Sequence, residues 1–327
     1  MGVFSRGTLS VCVFRISTDE SLAHLRKRTV SHLYTNNGDK PGRGWGAQTD
    51  NGELASLASS AVAIDPGVPG LGVNHNDYQT LSMRLYFDQA NPSVRRRLGS
   101  DAHWTVYHDR IGIDVLVTDD AGDGEFTVLA STRTPRHLSE FLKPAITDLL
   151  GATKGSDGYT KNIRIDEELD PDLFLWLIHR NHTGQHVADD VKLAAIEGAE
   201  SRQTAIGWRS RYSGGATADR GDLLANIAKH AEFGPAKVEL YHSGSPEGFF
   251  KLKLEHDGGF IMYRATEYDD DDLTKSLSPE ALGKRQVEDV WQIIMPKVRA
   301  AYAGDSDWRA TRRDEFVEHA KSELRQY

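Results

Sequence analysis

The sequence predicts an α+β fold with two mainly antiparallel sheets, each packed by helices, and a helical C-terminus. Three observations carry this. Phe250-Lys251-Leu252-Lys253-Leu254-Glu255 alternates apolar and polar residues with period two, as a half-buried antiparallel strand does. Helix starts stand singly between strand-like runs, at Thr134-Pro135, Asp170-Pro171 and Ser278-Pro279-Glu280, where a polar cap and a proline suit the first turn. Ala152–Tyr159, rich in Gly, Ser, Asp and Lys, has no apolar period and reads as a linker. It divides the chain into an N-terminal domain over 1–151 and a C-terminal domain over 160–327.

In chain order, Leu9–Ile16 is a strand, and Ser17 with Glu20 forms a capping box for the helix that follows. Asn36 to Gly52 is a Gly-rich loop that carries Trp45 to a partner. Gly42-Arg43-Gly44-Trp45-Gly46 follows a helix and lacks the Gly-Lys-Ser/Thr ending of a phosphate loop. Glu53–Ile64 is small-residue helix or strand, and Asp65–Asp77 is a second loop. Tyr78–Asp88 is a strand, Asn91–Leu98 a short helix, and Trp104–His108, Ile111–Thr118 and Glu125–Ser131 are strands. The helix after Thr134 carries a full apolar stripe, with Pro144 in its middle. The helix after Asp170 is apolar all round at Leu173–Ile178 and must be buried. Val191–Ile196 is a strand.

The stretch from Thr204 to Thr266 anchors the second domain: a strand at Ala205–Tyr212, a helix capped by Asp219 or Asp222 and stopped at Gly234-Pro235, then a three-stranded meander turned at Asp257-Gly258. Asp269–Asp272 is a solvated turn. The helix from Ser278 meets Pro296 as a kink or stop, and a last helix spans about Asp305–Arg325.

The formal charge is −9, and most of it lies in the second half. A polyanion would therefore be held only by a local patch. Candidate nucleic-acid contacts are Arg26, Lys27 and Arg28, then Arg95, Arg96 and Arg97, and the strand pair Arg209 and Arg211, which Trp208 and Tyr212 flank. No apolar run reaches the roughly 18 residues of a membrane span, so no membrane partner is expected. The single Cys12 sits in an apolar run, and no secretory pattern opens the chain, so a cytoplasmic protein is expected.

Three constellations bear on chemistry. His179, His182 and His186 would share a face of one continuous helix, where they could hold a zinc-like divalent metal with a position left open for water. Gly184 and the missing glutamate of an H-E-x-x-H register speak against this. Asp114 and Glu125 on successive strands suggest a metal-nuclease core, but Thr127 stands where such a site uses a lysine. Arg313-Asp314-Glu315-Phe316-Val317-Glu318-His319 resembles the R-polar-x4-H motif of HEPN ribonucleases. That resemblance implies Arg313 and His319 as a pair acting on an RNA 2′-hydroxyl and phosphate, commonly in a dimer, on an all-α bundle.

No cofactor loop is present in the sequence, and none is expected. The expected role is an intracellular binding or adaptor subunit of a larger assembly, through a protein partner or self-association, with Trp45 and Trp104 as exposed contacts. It is nucleic-acid-associated or an accessory of prokaryotic antiviral defence, the latter a reading that no single residue pattern carries. The alternative is a metal-dependent hydrolase or nuclease at the histidines, or a HEPN-like ribonuclease.

Overall fold

The computed structural model describes residues 7–35, 40–48, 64–98, 101–122, 124–151, 163–164, 168–203, 207–215 and 220–326. The predicted linker Ala152–Tyr159, residues 53–63 of the small-residue segment, the first residues of the strand predicted at Ala205–Tyr212, and Asp219 lie outside them. The fold is α+β. Its strands follow one hydrogen-bonded order in a single sheet, so the expectation of two separate sheets is corrected. The first strand is β1 (Thr8–Ser17).

The first unit comprises Ser10–Asp166 with Pro279–Ala281. After β1 come α1 (Leu22–Ser31), β2 (Arg43–Gly46), β3 (Gly70–Val73), β4 (Gln79–Ala90), α2 (Pro92–Leu98), β5 (His108–Gly122), β6 (Glu125–Ala130), α3 (Lys143–Leu149) and the short β7 (Ile163–Arg164). The strand order is β2-β4-β5-β6-β1, all antiparallel. Period two places Leu81, Met83, Leu85 and Phe87 on one face of β4, packed with Leu22 and Leu25 of α1 and Ala145, Ile146 and Leu149 of α3.

Several expectations are corrected here. The cap of α1 is Ser21, whose hydroxyl accepts from the His24 amide; Glu20 instead pairs with Arg28. Within the predicted Gly-rich loop, Arg43–Gly46 is strand β2, and Trp45 is only 2% exposed within the core. Trp104 is 7% exposed and lies in a 3-10 turn, not a strand. Neither tryptophan is a free contact. Part of the second predicted loop is β3, paired to β4.

Glycine explains why β2 can lie where it does. A Cβ at Gly44 would stand 2.5 Å from the Tyr34 backbone, and one at Gly46 would stand 2.3 Å from the Pro66 carbonyl oxygen. Gly72 of β3 has nothing within 4 Å of such a position. Gly44→Ala is therefore expected to destabilise the protein by about 1–3 kcal/mol through overpacking. Gly72→Ala should leave the melting midpoint unchanged or slightly raised. Equal midpoints for the two variants would contradict this account of β2.

The second unit comprises Arg6–Leu9, Glu167–Ser278 and Leu282–Tyr327. It contains α4 (Pro171–Thr183), β8 (Val191–Gln203), β9 (Trp208–Ser213), α5 (Gly221–Ala228), β10 (Glu232–His242), β11 (Gly248–Leu254), β12 (Phe260–Tyr263), β13 (Glu267–Tyr268), α6 (Asp271–Ser276), α7 (Pro279–Asp289), α8 (Met295–Gly304) and α9 (Arg313–Leu324). Its strands run β12-β11-β10-β8-β9. The predicted meander is present as β10, β11 and β12, with Gly258 at φ 74° in the turn. Phe250, Leu252 and Leu254 are fully buried, as period two requires. Helix α4, apolar all round at Leu173–Ile178, packs against β8 and β10, and α5 against α9.

Helix α5 ends at Ala228, and Gly234-Pro235 lies within β10, at a bulge against β8; it does not stop the helix. Asp270 caps α6 through its carboxylate, so the acidic run starts a helix. Pro144 and Pro296 neither end nor break their helices. A π-helical turn precedes each, at His137–Leu142 and Val290–Ile294, and widens the backbone ahead of a ring that an α-turn would meet in a clash.

Candidate nucleic-acid interface

The sheet of the second unit has one apolar face and one charged face. Bulges aside, alternation sends Lys192, Glu197, Glu200 and Arg202 of β8 outward, with Arg209 and Arg211 of β9, Glu232, Lys237, Glu239 and Tyr241 of β10, Phe249, Lys251 and Lys253 of β11, and Tyr263 of β12. A cleft of ≈ 530 Å³ opens on this face. Gly198, Gly214 and Gly215 line it and contribute no side chain, while Lys237, Lys253, Arg211 and Tyr263 border it. A Cβ at Gly198 would meet the Tyr212 carbonyl oxygen at 2.8 Å, so the floor is backbone by steric necessity.

Most of the lysines here are committed to carboxylates. Lys237 Nζ lies 2.5 Å from Glu197, Lys251 bonds Glu197 and lies 2.6 Å from Glu239, and Lys253 lies 3.3 Å from Glu200. Lys237 also sits 4.3 Å above the Tyr263 ring. Burial pulls the Glu197 carboxyl upward, but hydrogen bonds from Lys237 and Lys251 outweigh it and hold the group at about 2. A carboxylate that acidic is a poor general base near neutral pH. The same bonds from Glu197 and Glu239 hold the Lys251 ammonium above its usual range. The centre of the face is thus fixed charge suited to recognition.

The arginines at its edge differ. Arg202 stands between Arg209 of β9 and Glu232 of β10 in the register, and Arg211 stands opposite Glu200. Among the described residues none of the three has an ion-pair partner, since Glu200 turns to Lys253. Like charges directly opposite on a sheet are destabilising, and a chain of net charge −9 has carboxylates to spare.

The other candidate residues are placed differently. Arg26 donates to the Pro69 carbonyl, and Arg28 to the Leu149 carbonyl and to Glu20. Their triplet is thereby stitched into the first unit, leaving Lys27 exposed. Arg95, Arg96 and Arg97 are exposed on α2, a helix that buries none of its residues, and Arg95 covers the Tyr107 ring at 5.5 Å. Asp114 is gripped by Arg84 at 2.6 and 3.1 Å, whereas Glu125 lies near Arg15. These carboxylates do not share a site.

The three histidines do not converge. His179 is buried against Trp308 and Phe316, His182 contacts Phe316, and His186 is exposed beyond Gly184, which ends α4 in the left-handed conformation. Among the described residues no group of three His, Cys, Asp or Glu side chains is arranged to hold a metal. Arg313 is bound by Asp172 at 2.6 Å, at the start of α4, while the His319 ring lies 5.7 Å from that of His182, at its end. The two residues of the HEPN-like motif thus serve different neighbours, on a sheet-containing unit.

Two polar clusters carry no local sequence signal, because their members are far apart in the chain. Tyr34, Asp88 and Arg110 are buried together in the first unit. In the second, Lys297 bonds both Asp190 and the fully buried His242. Pro246 carbonyl oxygen lies 2.6 Å from His242 Nδ1. That carbonyl can only accept, so Nδ1 donates to it, while Nε2 lies 2.7 Å from Lys297 Nζ and 3.2 Å from Asp190 Oδ2. Arg202 has a readable signal: a hairpin closing near Gly207 would set it opposite Arg209. No protein-family model matches the chain, and no curated protein matches it.

Proposed function

We propose that the chain is a binding subunit of a nucleic-acid-associated assembly, and that it meets the phosphate backbone on the charged face of the second unit's sheet. The observation that supports this best is the cluster of Arg202, Arg209 and Arg211, neighbours in the β8–β9 register and exposed, none of them in an ion pair among the described residues although Glu232 stands opposite Arg202 in β10. Phosphodiesters supply the missing negative charge, and the guanidinium fork suits their geometry. The ion-paired lysines beyond the cluster orient the face without offering a free base, which favours binding over hydrolysis here.

The test is oligonucleotide binding followed by fluorescence anisotropy over a range of salt concentrations. The wild-type affinity should fall linearly in log-log form as salt rises. Replacing Arg202, Arg209 and Arg211 together with Gln should weaken binding at least roughly tenfold and reduce the salt slope by about 2 for a single strand. Absence of binding at low salt, or an unchanged slope in the triple variant, would sink the reading.

A further inference from the structure

We infer that the nucleic acid held by this face is a single strand, laid along the outer edge of β9 with one base stacked on Trp208. The inference rests on the proposed phosphate contact and names its substrate class. β9 is the last strand of the sheet order, so no strand pairs with its outer edge among the described residues; Arg220 bonds the Ser213 carbonyl at its far end, away from Trp208. Trp208 begins that strand and is 63% exposed. Its indole N–H donates to Ser210 Oγ at 3.1 Å, which holds the ring in one orientation. A large, fixed, exposed indole is a stacking platform, and every base has a π-face to lay on it.

Position along the strand decides between a single strand and a duplex. Arg209 and Arg211 follow Trp208 on the same strand, about 6.8 Å apart and on one face. Trp208 projects from the opposite side of β9, with Ser210 and the buried Tyr212. A ligand running along the edge meets guanidinium groups from one side and the indole from the other. A single strand can do this by turning its phosphates to the arginines and one base to the ring. A duplex keeps its bases paired and stacked, and an indole at a sheet edge then reaches only the sugar-phosphate rail. DNA and RNA share the required chemistry.

The deciding measurement compares a fluorescein-labelled pyrimidine strand of about a dozen nucleotides, as DNA and as RNA, with the corresponding duplex. It uses the whole chain as the wild type, Trp208→Ala and Trp208→Phe. The wild type is expected to prefer the single strand. Trp208→Ala should lose roughly 5- to 100-fold in single-strand affinity and nothing in duplex affinity, and Trp208→Phe should recover most of the loss. The exposed position means that neither substitution threatens folding, which a melting curve confirms. If Trp208→Ala binds the single strand as the wild type does, or if the duplex binds as tightly, the inference is overturned. The phosphate contact itself still stands if the triple arginine variant loses both ligands. Failure of every oligonucleotide to bind overturns both.

Discussion

Asp88→Ala is expected to destabilise the first unit by about 3–5 kcal/mol, the usual effect of removing one partner from a buried ion pair. Arg110 and Asp88 have fully buried side chains, with Nε 3.4 Å from Oδ1. Asp88 Oδ2 accepts from Tyr34 Oη at 2.8 Å and from the Gly42 amide at 2.9 Å, and Tyr34 Oη accepts from Arg110 Nε at 2.9 Å. Deleting the carboxylate removes a counter-charge from the buried guanidinium, takes away the acceptor of the tyrosine hydroxyl, and frees the amide at the entry to β2. Urea unfolding gives the loss directly. The double variant Asp88→Leu/Arg110→Met should be more stable than Asp88→Ala, because it leaves no unpaired charge in the interior; the Tyr34 hydroxyl and the Gly42 amide lose their Asp88 acceptor in both variants. A double variant weaker than the single one would show that the cluster acts through shape and not through charge. Burial and the Asp88 carboxylate push the Tyr34 phenol up to about 12. The native state then keeps a proton that the unfolded chain releases above its ordinary value near 10. This contribution is whole below pH 10 and is lost as the pH rises toward 12.

What the sequence made legible follows from the range of the interactions involved. Strand β11 was readable because Phe250, Leu252 and Leu254 alternate with charged residues over six positions, and burial on one face is enough to fix that pattern. Helix α4 announced itself through Asp170-Pro171 and its apolar run. Strand β2 was unreadable because its four residues are held by partners elsewhere: Trp45 pairs in register with Leu85, and Gly44 lies against Tyr34. A glycine that allows close backbone approach and a glycine in a loop look alike in sequence. The prolines misled for a similar reason, since a π-helical turn ahead of Pro144 or Pro296 leaves no trace in residue type. At the candidate site, Trp208, Arg209 and Arg211 stood out locally, but their meaning depends on Arg202 across the hairpin and on Glu200 turning to Lys253. Tyr34 lies more than 50 positions from Asp88 and Arg110, which are cross-strand partners of β4 and β5, and Asp190, His242 and Lys297 lie more than 50 positions from one another, beyond the reach of any spacing rule.

The stability of the second unit is expected to fall as the pH drops from about 6.5 to about 4, and His179→Leu should reduce that sensitivity. Burial depresses the His179 imidazole to about 4, and the nearby cations Arg180 and Arg312 add to the effect. The ring lies between Trp308 and Phe316, with Nδ1 lacking a hydrogen-bond partner among the described residues. In the unfolded chain the same imidazole titrates near 6.5. Between these values the unfolded state binds a proton that the native state refuses, so protons favour unfolding; above 6.5 both states are neutral and the contribution is constant. A shift of this size corresponds to about 3 kcal/mol over the whole window, and about 2 kcal/mol by pH 5. Leucine keeps apolar contact with both aromatic rings and carries no titrating group, so the melting temperature should drop less between pH 7.5 and pH 5 in His179→Leu than in the wild type; burial also lowers the His137 imidazole of the first unit, and that part of the drop remains in both. Glu197 does not confuse the comparison. Its carboxyl, held at about 2, contributes stability above its unfolded value near 4.5 that is lost only as the pH falls from there toward 2. A wild type whose melting temperature does not change between pH 7.5 and 5 would mean that His179 takes up its proton in the folded state. The packing of α9 against α4 would then have to open enough to admit it.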